Sequence, residues 1–377
     1  MLRKPTFLLA ASALAFAAVP AAAQTAAPAG NATASDDAYA TFTPSDTPNK
    51  DKIDYSIWDE AMKNLVISMG PSLRQTAGTP QPSFGTRRIY GHRSRFRLEG
   101  SRIMFSFLDN DIRASFIEYR EDLERTADIV DIQALSRNEQ LAFWINLHNV
   151  AMIEQIANAW PVRQPRTIEI DGVPLDEARF ITVEGVALSP RDIREKIVFA
   201  NWQDAKVMYG FWRGEIGGPS IQREAFNADN VARLLDRGAR DFVNSLRGSQ
   251  KRGSTLQVSE LFEEAAPFFF PDFEKDVREH MAIYANEDTQ ELLTKTSGME
   301  ANVNEYDIAD LAGGLREPTY QNITSDGNQV GGRIPQSMAR LLQQREEKFD
   351  RIIREGRTGT VTFSNIDLPG DEDGEVQ

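Results

Sequence analysis

The strongest constraint on the fold is a long helical segment that begins near residue 136. Ser136 and Glu139 have the spacing of a capping box, in which the serine oxygen accepts from the backbone N–H of Glu139 and the carboxylate reaches back to the helix start. Apolar residues recur from Leu141 to Ala159, and Pro161 marks the end of the pattern. We therefore expect a well-defined helix from the capping box to Ala159.

Apolar residues at helical spacing predict further helices at residues 55–69, 104–123, 190–198 and 229–246, and one charged helix is expected at residues 335–354. An aromatic segment at residues 261–284 is expected to complete the core. The dipeptides Asp171-Gly172 and Glu184-Gly185 each separate β-prone runs, which predicts one or two small hairpins. The sequence thus predicts an α+β fold: a predominantly helical single domain with a small antiparallel sheet.

Composition divides the chain into four parts. Residues 1–23 have the pattern of a signal peptide, and residues 24–50 are rich in Ala, Thr, Ser, Pro and Asp, as in a flexible linker. The folded domain is expected over residues 51–315. Residues 316–377 are interpreted as a carboxyl-terminal extension with one charged helix and an acidic tail.

The amino-terminal pattern predicts export. Arg3 and Lys4 precede an apolar run at residues 7–19, and three alanines at 21–23 provide the small residues of a cleavage site. A run of about 13 residues is short of the roughly 20 that a membrane-spanning helix needs. We expect cleavage after Ala23, a periplasmic or secreted mature protein, and no stable membrane insertion after cleavage.

Charge and cysteine content exclude several classes of function. The formal net charge of −14 argues against nucleic-acid binding. The chain has no cysteine, so disulfides, thiol catalysis and thiolate metal sites are excluded. His92, His148 and His280 have no spacing such as His-x-x-x-His, so neither a metal site nor a cofactor is expected.

A basic cluster at residues 87–97 interrupts this acidic chain. Two interpretations remain open: an anion or partner site gripped by forked guanidinium groups, or a solvated loop whose arginines pair with the surplus acids. The cluster comprises Arg87, Arg88, His92, Arg93, Arg95 and Arg97.

Polar residues within the apolar helix form the first candidate site. Asn146 and Asn149 are three residues apart and therefore share a helix face. His148 could lie in the same cleft wall, beside Trp144. Buried amides must be hydrogen-bonded, so they either tie down neighbouring backbone or face a ligand. A histidine in such a helix is either a satisfied structural residue or a general base.

The second candidate is the Gly-rich turn at residues 212–220, which contains Arg213, Glu215 and Ser220. Glycines let backbone approach a ligand closely, but the spacing of a phosphate loop and the Gly-x-Ser-x-Gly elbow are both missing. Glu215 and Ser220 are therefore weak catalytic candidates, together with His148.

The order of segments resembles the bacterial domain-of-unknown-function family 547. The most specific part is the run from Glu139 to Asn149, which contains Ala-Phe-Trp-Ile-Asn-x-x-Asn. The supporting segments are residues 58–70, 188–193, 258–262 and 305–307. The resemblance extends over most of residues 51–315.

The chain departs from this family at the residues that suggest chemistry. The resemblance implies a histidine where Met208 stands, and cysteines where Arg213 and Gly218 stand; His148 replaces a usual tyrosine. If the family's cysteine and histidine form a thiol site, this chain has lost both, because neither arginine nor glycine can act as the nucleophile.

Three functional hypotheses follow. The first is a non-catalytic periplasmic binding or interaction protein for an unknown envelope component or small ligand. The alternative is a hydrolase with a rebuilt, cysteine-free site, acting on an envelope ester or amide through His148 with Ser220 or Glu215. The third is a scaffold that docks through the basic 87–97 segment and the carboxyl-terminal helix.

Overall fold

A computed structural model describes residues 36–78, 90–317, 320–325 and 328–356. Its helices are α1 Asp36–Tyr39, α2 Ser56–Leu65, α3 Asn110–Ile129, α4 Arg137–Ala159, α5 Phe199–Asn201, α6 Val231–Val243, α7 Glu260–Phe269, α8 Phe273–Tyr284, α9 Glu287–Thr294 and α10 Gln336–Arg354. The predicted signal peptide, residues 87–89 of the basic cluster and the acidic tail lie outside the described residues.

The strands are short and pair into small sheets. They are β1 Val66–Ser68, β2 Ser101–Ile103, β3 Glu169–Ile170, β4 Val173–Pro174, β5 Ile181–Val183, β6 Val186–Leu188, β7 Ser249–Arg252, β8 Thr255–Ser259, β9 Gly298–Val303, β10 Tyr320–Ser325 and β11 Asn328–Pro335. Each pairs antiparallel with a neighbour except β9, which runs parallel to β8 in the sheet β7-β8-β9. The predicted helix-rich α+β class is confirmed.

Helix α4 lies at the centre of the core, where Trp144 packs edge-on between Phe42 and Phe143 with both ring-centroid distances at 5.0 Å. The predicted limits of this helix are confirmed. Ser136 accepts from the backbone N–H of Glu139 at 3.3 Å, as the capping box requires. The Glu139 carboxylate differs from the prediction: it accepts from the backbone N–H groups of Ile53 and Ala228, both at 3.0 Å, and so holds two loops to the helix.

Several predicted helices have different limits. The first helix ends at Leu65 because residues 66–68 pair with β2. Helix α3 begins at Asn110, not near residue 104, because the Asp109 side chain caps it by accepting from Ile112 N at 2.9 Å. Residues 261–284 form two helices broken at Pro271. The two predicted hairpins are confirmed as β3–β4 and β5–β6.

Packed structure extends beyond the predicted domain limits at both ends. Tyr39 and Phe42, in the predicted linker, are buried in the core, and the Phe42 ring packs on Trp144 of α4. Met338 and Leu341 of α10 pack with Met69. Among the described helices, none has the length and apolarity needed to cross a bilayer.

Candidate functional site

The two asparagines of α4 bond to backbone. Asn146 Nδ2 donates to the Phe226 carbonyl at 2.8 Å, and Asn146 Oδ1 accepts from the Phe226 N–H at 3.1 Å. Asn149 Nδ2 donates to the Gly210 carbonyl at 2.9 Å, and its Oδ1 accepts from the Trp212 N–H at 3.0 Å. Each side-chain amide therefore supplies the hydrogen-bond partners of buried backbone groups in a segment that crosses α4, as buried polar groups require.

His148 lies fully buried between Asn149 and Arg194. Its Nε2 lies 3.3 Å from Arg194 Nη1, and its Nδ1 lies 3.1 Å from Asn149 Oδ1. A guanidinium has donors only, so Nε2 must accept and the neutral ring carries its proton on Nδ1. Burial, with the positive charge of Arg194, lowers the pKa of His148 to about 3.

Arg194 also forms a forked ion pair with Asp176, at 2.6 and 2.7 Å. Arg194 lies in a π-helical stretch, Asp192–Val198. At the start of this stretch, the Ser189 N–H donates to Asp192 Oδ2 and the Asp192 N–H donates to Ser189 Oγ, both at 3.0 Å. Burial by itself would raise the pKa of Asp176, but the guanidinium of Arg194 outweighs it and holds that pKa well below its usual range. The lone pair of His148 Nε2 thus accepts from Arg194, which is itself held by its ion pair with Asp176.

The Gly-rich turn packs against its own chain. The backbone N–H groups of Ile216 and Gly217 donate to the carbonyls of Asp307 and Glu305, both at 2.8 Å. A Cβ on Gly217 would lie 2.7 Å from the Glu305 backbone, and one on Gly214, whose φ is +81°, would lie 2.3 Å from Ile156 Cδ1. These glycines therefore admit neighbouring chain segments rather than a ligand.

The side chains of this turn are held by ion pairs around a small pocket. Arg213 pairs with Glu264 at 2.5 Å, and Glu215 accepts both bonds of Arg166 at 2.7 and 3.0 Å. Burial raises the pKa of Glu215. Arg213 and Gly218, which stand where the resemblance implies cysteines, both line this pocket. The volume of this pocket is about 30 Å³, enough for about two waters.

Met208 is buried in the short helical turn Ala205–Gly210 and does not line this pocket. Trp144 lies inside the core, as described above, and does not line this pocket. Among the described residues, no group of three or more His, Asp or Glu side chains is arranged to hold a metal ion.

Ser220 faces a different and larger feature. Its hydroxyl donates to Asp241 Oδ2 at 2.6 Å, and the buried Arg247 contacts both, at 3.3 Å from the hydroxyl and 2.8 Å from the carboxylate. A Cβ on Gly100 would lie 2.8 Å from Arg247 Nη1, so this glycine makes room for the cluster. Neither Ser220 nor Glu215 is a partner of His148, whose ring nitrogens are both occupied.

The Ser220 cluster lies beside a groove of about 970 Å³. One side is the face of α6 that presents Arg233, Arg237 and Arg240, and the segment after Ser220 contributes Arg223. This volume is at the upper end of the range typical of small-molecule sites. Three of its arginines recur at helical spacing.

The basic segment is described from residue 90. Arg97 is buried and donates to the carbonyls of Ser94 and Gly78 at 3.2 and 2.6 Å. His92 bonds to the Asp310 carbonyl, and burial lowers its pKa to about 3. Arg93 and Arg95 are exposed. Two of the four described members are therefore structural, while Arg87 and Arg88 lie outside the described residues.

Comparison with known proteins bears on the central part of this site. Residues 132–243 match the model of a family described as protein of unknown function, DUF547. The match supports the resemblance and includes α4, the Gly-rich turn and α6, but covers less than a third of the 377 residues. No curated protein and no solved structure matches the chain.

Sequence reasoning missed the groove and the partners of His148. Arg233, Arg237 and Arg240 have a four- and three-residue spacing that puts them on one helix face, a signal available from sequence. Asp176 and Arg194 gave no such signal, since their pairing joins a hairpin region to a π-helical turn. Asp241 and Arg247 likewise come together only through the fold.

Proposed function

We propose that the protein is exported and acts as a non-catalytic binding protein, with the groove beside Ser220 as its ligand site. The observation that carries this proposal is the small, ion-paired pocket at the turn of residues 212–220. Where the resemblance implies a thiol site, ion pairs fill the pocket and leave space for about two waters. This space is small for a substrate beside Glu215.

The arrangement of the hydroxyl and imidazole groups supports a binding role over hydrolysis. Activation of a serine requires a base within about 3 Å that has a free lone pair. The contacts of Ser220 are Asp241 and Arg247, and the carboxylate is neutralised by that guanidinium. The Nε2 lone pair of His148 is directed at Arg194.

The groove supports binding because it is roomy and lined by polar and charged groups. Its volume of about 970 Å³ contrasts with about 30 Å³ in the turn pocket, so the larger feature is where a ligand fits. The charged lining makes a polar ligand the natural occupant.

Export is proposed from the pattern of residues 1–23. Expression of the whole chain in a Gram-negative host, followed by fractionation and amino-terminal sequencing, tests it. We expect periplasmic protein that begins at Gln24. Protein that keeps Met1 and stays in the cytoplasm would contradict export without affecting the binding role.

The non-catalytic role is tested with purified mature protein. We expect no turnover of ester, amide or peptidoglycan fragments above a blank, while a groove ligand raises the melting temperature. Turnover that is lost in both His148→Ala and Ser220→Ala would establish the hydrolase alternative. Arg93→Ala, an exposed change away from both residues, controls for contaminating activity.

A further inference from the structure

The groove beside Ser220 is positively charged on a protein that is otherwise acidic. Four arginines line it, all exposed: Arg223, Arg233, Arg237 and Arg240. The whole chain has a formal net charge of −14. A concentration of guanidinium groups in a groove on an acidic protein attracts anions to that place specifically.

Two of the four arginines keep their charge unpaired. Arg233 and Arg237 share the Glu224 carboxylate, at 2.6 and 2.7 Å. Arg223 donates one bond to the Lys63 carbonyl, and Arg240 lies 5.9 Å over the Tyr284 ring. Neither Arg223 nor Arg240 forms an ion pair with a carboxylate in the described part of the chain, so both remain open to an anionic ligand.

The groove also contains groups suited to hydroxyls. Asp236 and Asp241 line it; each holds an ion pair through one carboxylate oxygen, with Lys206 and Arg247, and has a second oxygen that can accept a hydrogen bond. Asn286 and Gln222 supply amides. A mixture of guanidinium, carboxylate and amide groups matches a ligand that carries both carboxylates and many hydroxyls.

We propose that this groove binds a short acidic oligosaccharide, with its carboxylates on Arg223 and Arg240 and its hydroxyls on Asp236 and the amides. This inference rests on the proposed binding function and names its ligand class. A phosphate polymer is the less suited anion because two of the four groove arginines, Arg233 and Arg237, are already paired with Glu224. No aromatic side chain lines the groove, so single-stranded nucleic acid lacks a stacking surface.

The first experiment measures binding of a short oligogalacturonate by isothermal titration calorimetry with the mature full chain. Maltooligosaccharide of the same length is the neutral comparison, and linear polyphosphate is the phosphate comparison. We expect oligogalacturonate to bind at least about tenfold more tightly than either, and its affinity to fall as salt is raised.

Two double variants locate the site. Arg223→Gln with Arg240→Gln should weaken oligogalacturonate binding by roughly tenfold to a hundredfold, because it removes both unpaired guanidinium groups. Arg93→Gln with Arg252→Gln removes two exposed positive charges outside the groove and should change affinity by less than about twofold. All four side chains are exposed, so both variants should melt as the native protein does.

Three results would overturn the inference: oligogalacturonate binding no tighter than the neutral sugar, tighter binding of polyphosphate, or equal loss in the two double variants. The proposed function fails in a different way. If chromatography shows that the protein shortens the bound oligogalacturonate, the ligand class stands and the non-catalytic role falls.

Discussion

Arg194 Nη1 donates to His148 Nε2 at 3.3 Å while the same guanidinium forms a fork with Asp176 at 2.6 and 2.7 Å. One arginine thus fixes the tautomer of the buried imidazole and uses the lone pair that a general base needs. A histidine among polar residues of an apolar helix looks like a catalytic candidate, but the hydrogen-bond partner of each ring nitrogen determines whether it can accept a proton.

Replacement of Arg194 tests this arrangement. Arg194→Met leaves Asp176 without its buried partner and should lower the free energy of unfolding by about 3–5 kcal/mol. The pKa of His148 should rise from about 3, because a positive neighbour is lost, yet stay below 6.5 because the ring remains buried. Urea unfolding and NMR titration of the imidazole measure the two effects.

Arg191→Met is the matched control for that change. Arg191 contacts the same Asp176 at 3.3 Å, but its side chain is 47% exposed. An exposed pair contributes little, so the loss should stay within about 1 kcal/mol. Equal losses in the two variants would show that the buried fork has no special role.

A second prediction concerns acid stability. Burial lowers the pKa of His280 to about 4, against 6.5 in the unfolded chain. The unfolded chain therefore binds one more proton between these values, and this histidine's contribution is complete above pH 6.5 and lost as pH falls towards 4. His280→Gln keeps a partner for the Tyr209 hydroxyl but cannot titrate.

Unfolding by urea at several pH values measures this effect. Between about pH 6 and 4.5, the slope of the unfolding free energy should be shallower in His280→Gln by about 1.4 kcal/mol per pH unit. The two proteins should have parallel profiles above pH 7. The same slope in both proteins at acid pH would contradict a neutral buried His280.

Asn146 gives a third prediction. Asn146→Ala removes two buried bonds to the backbone of Phe226 and should cost about 2–4 kcal/mol. Asn138→Ala, on the exposed face of the same helix, loses one long bond of 3.4 Å and should cost less than about 1 kcal/mol. Chemical denaturation compares them. Similar costs would mean that the Phe226 segment is held by other contacts.

The sequence predicted what depends on local pattern. Helix α4 was predictable because its capping residue, apolar run and terminal proline all agree, and the two hairpins because Asp171-Gly172 and Glu184-Gly185 sit at their turns. Helix limits went wrong where non-local pairing decides: Leu65, Val66 and Met69 continue the helical spacing of apolar residues, but residues 66–68 pair with β2.

The candidate site was less predictable for the same physical reason. Ser220, Asp241 and Arg247 are neighbours only in the folded chain. The Glu139 carboxylate accepts from the backbone N–H of Ile53, which is distant in sequence from α4. A side chain's type can be read from sequence, but its partner and remaining hydrogen-bonding capacity depend on segments brought together by the core.

The last prediction concerns the attachment of α10. Lys348 is buried and donates to the carbonyls of Met69, Gly70 and Leu98 at 2.9, 3.3 and 2.7 Å. Burial lowers its pKa to about 8, against 10.5 when unfolded. Between these values the unfolded chain holds the extra proton, so this lysine's contribution should rise with pH, by about 1.4 kcal/mol per pH unit.

Urea unfolding between about pH 8 and 9.5 measures this contribution. Lys348→Met should flatten the profile by that slope, whereas the exposed Lys251→Met should leave it unchanged. Comparing slopes separates titration from the constant cost of leaving three carbonyls unpaired. If Lys348→Met keeps the native slope, burial does not lower the pKa of Lys348.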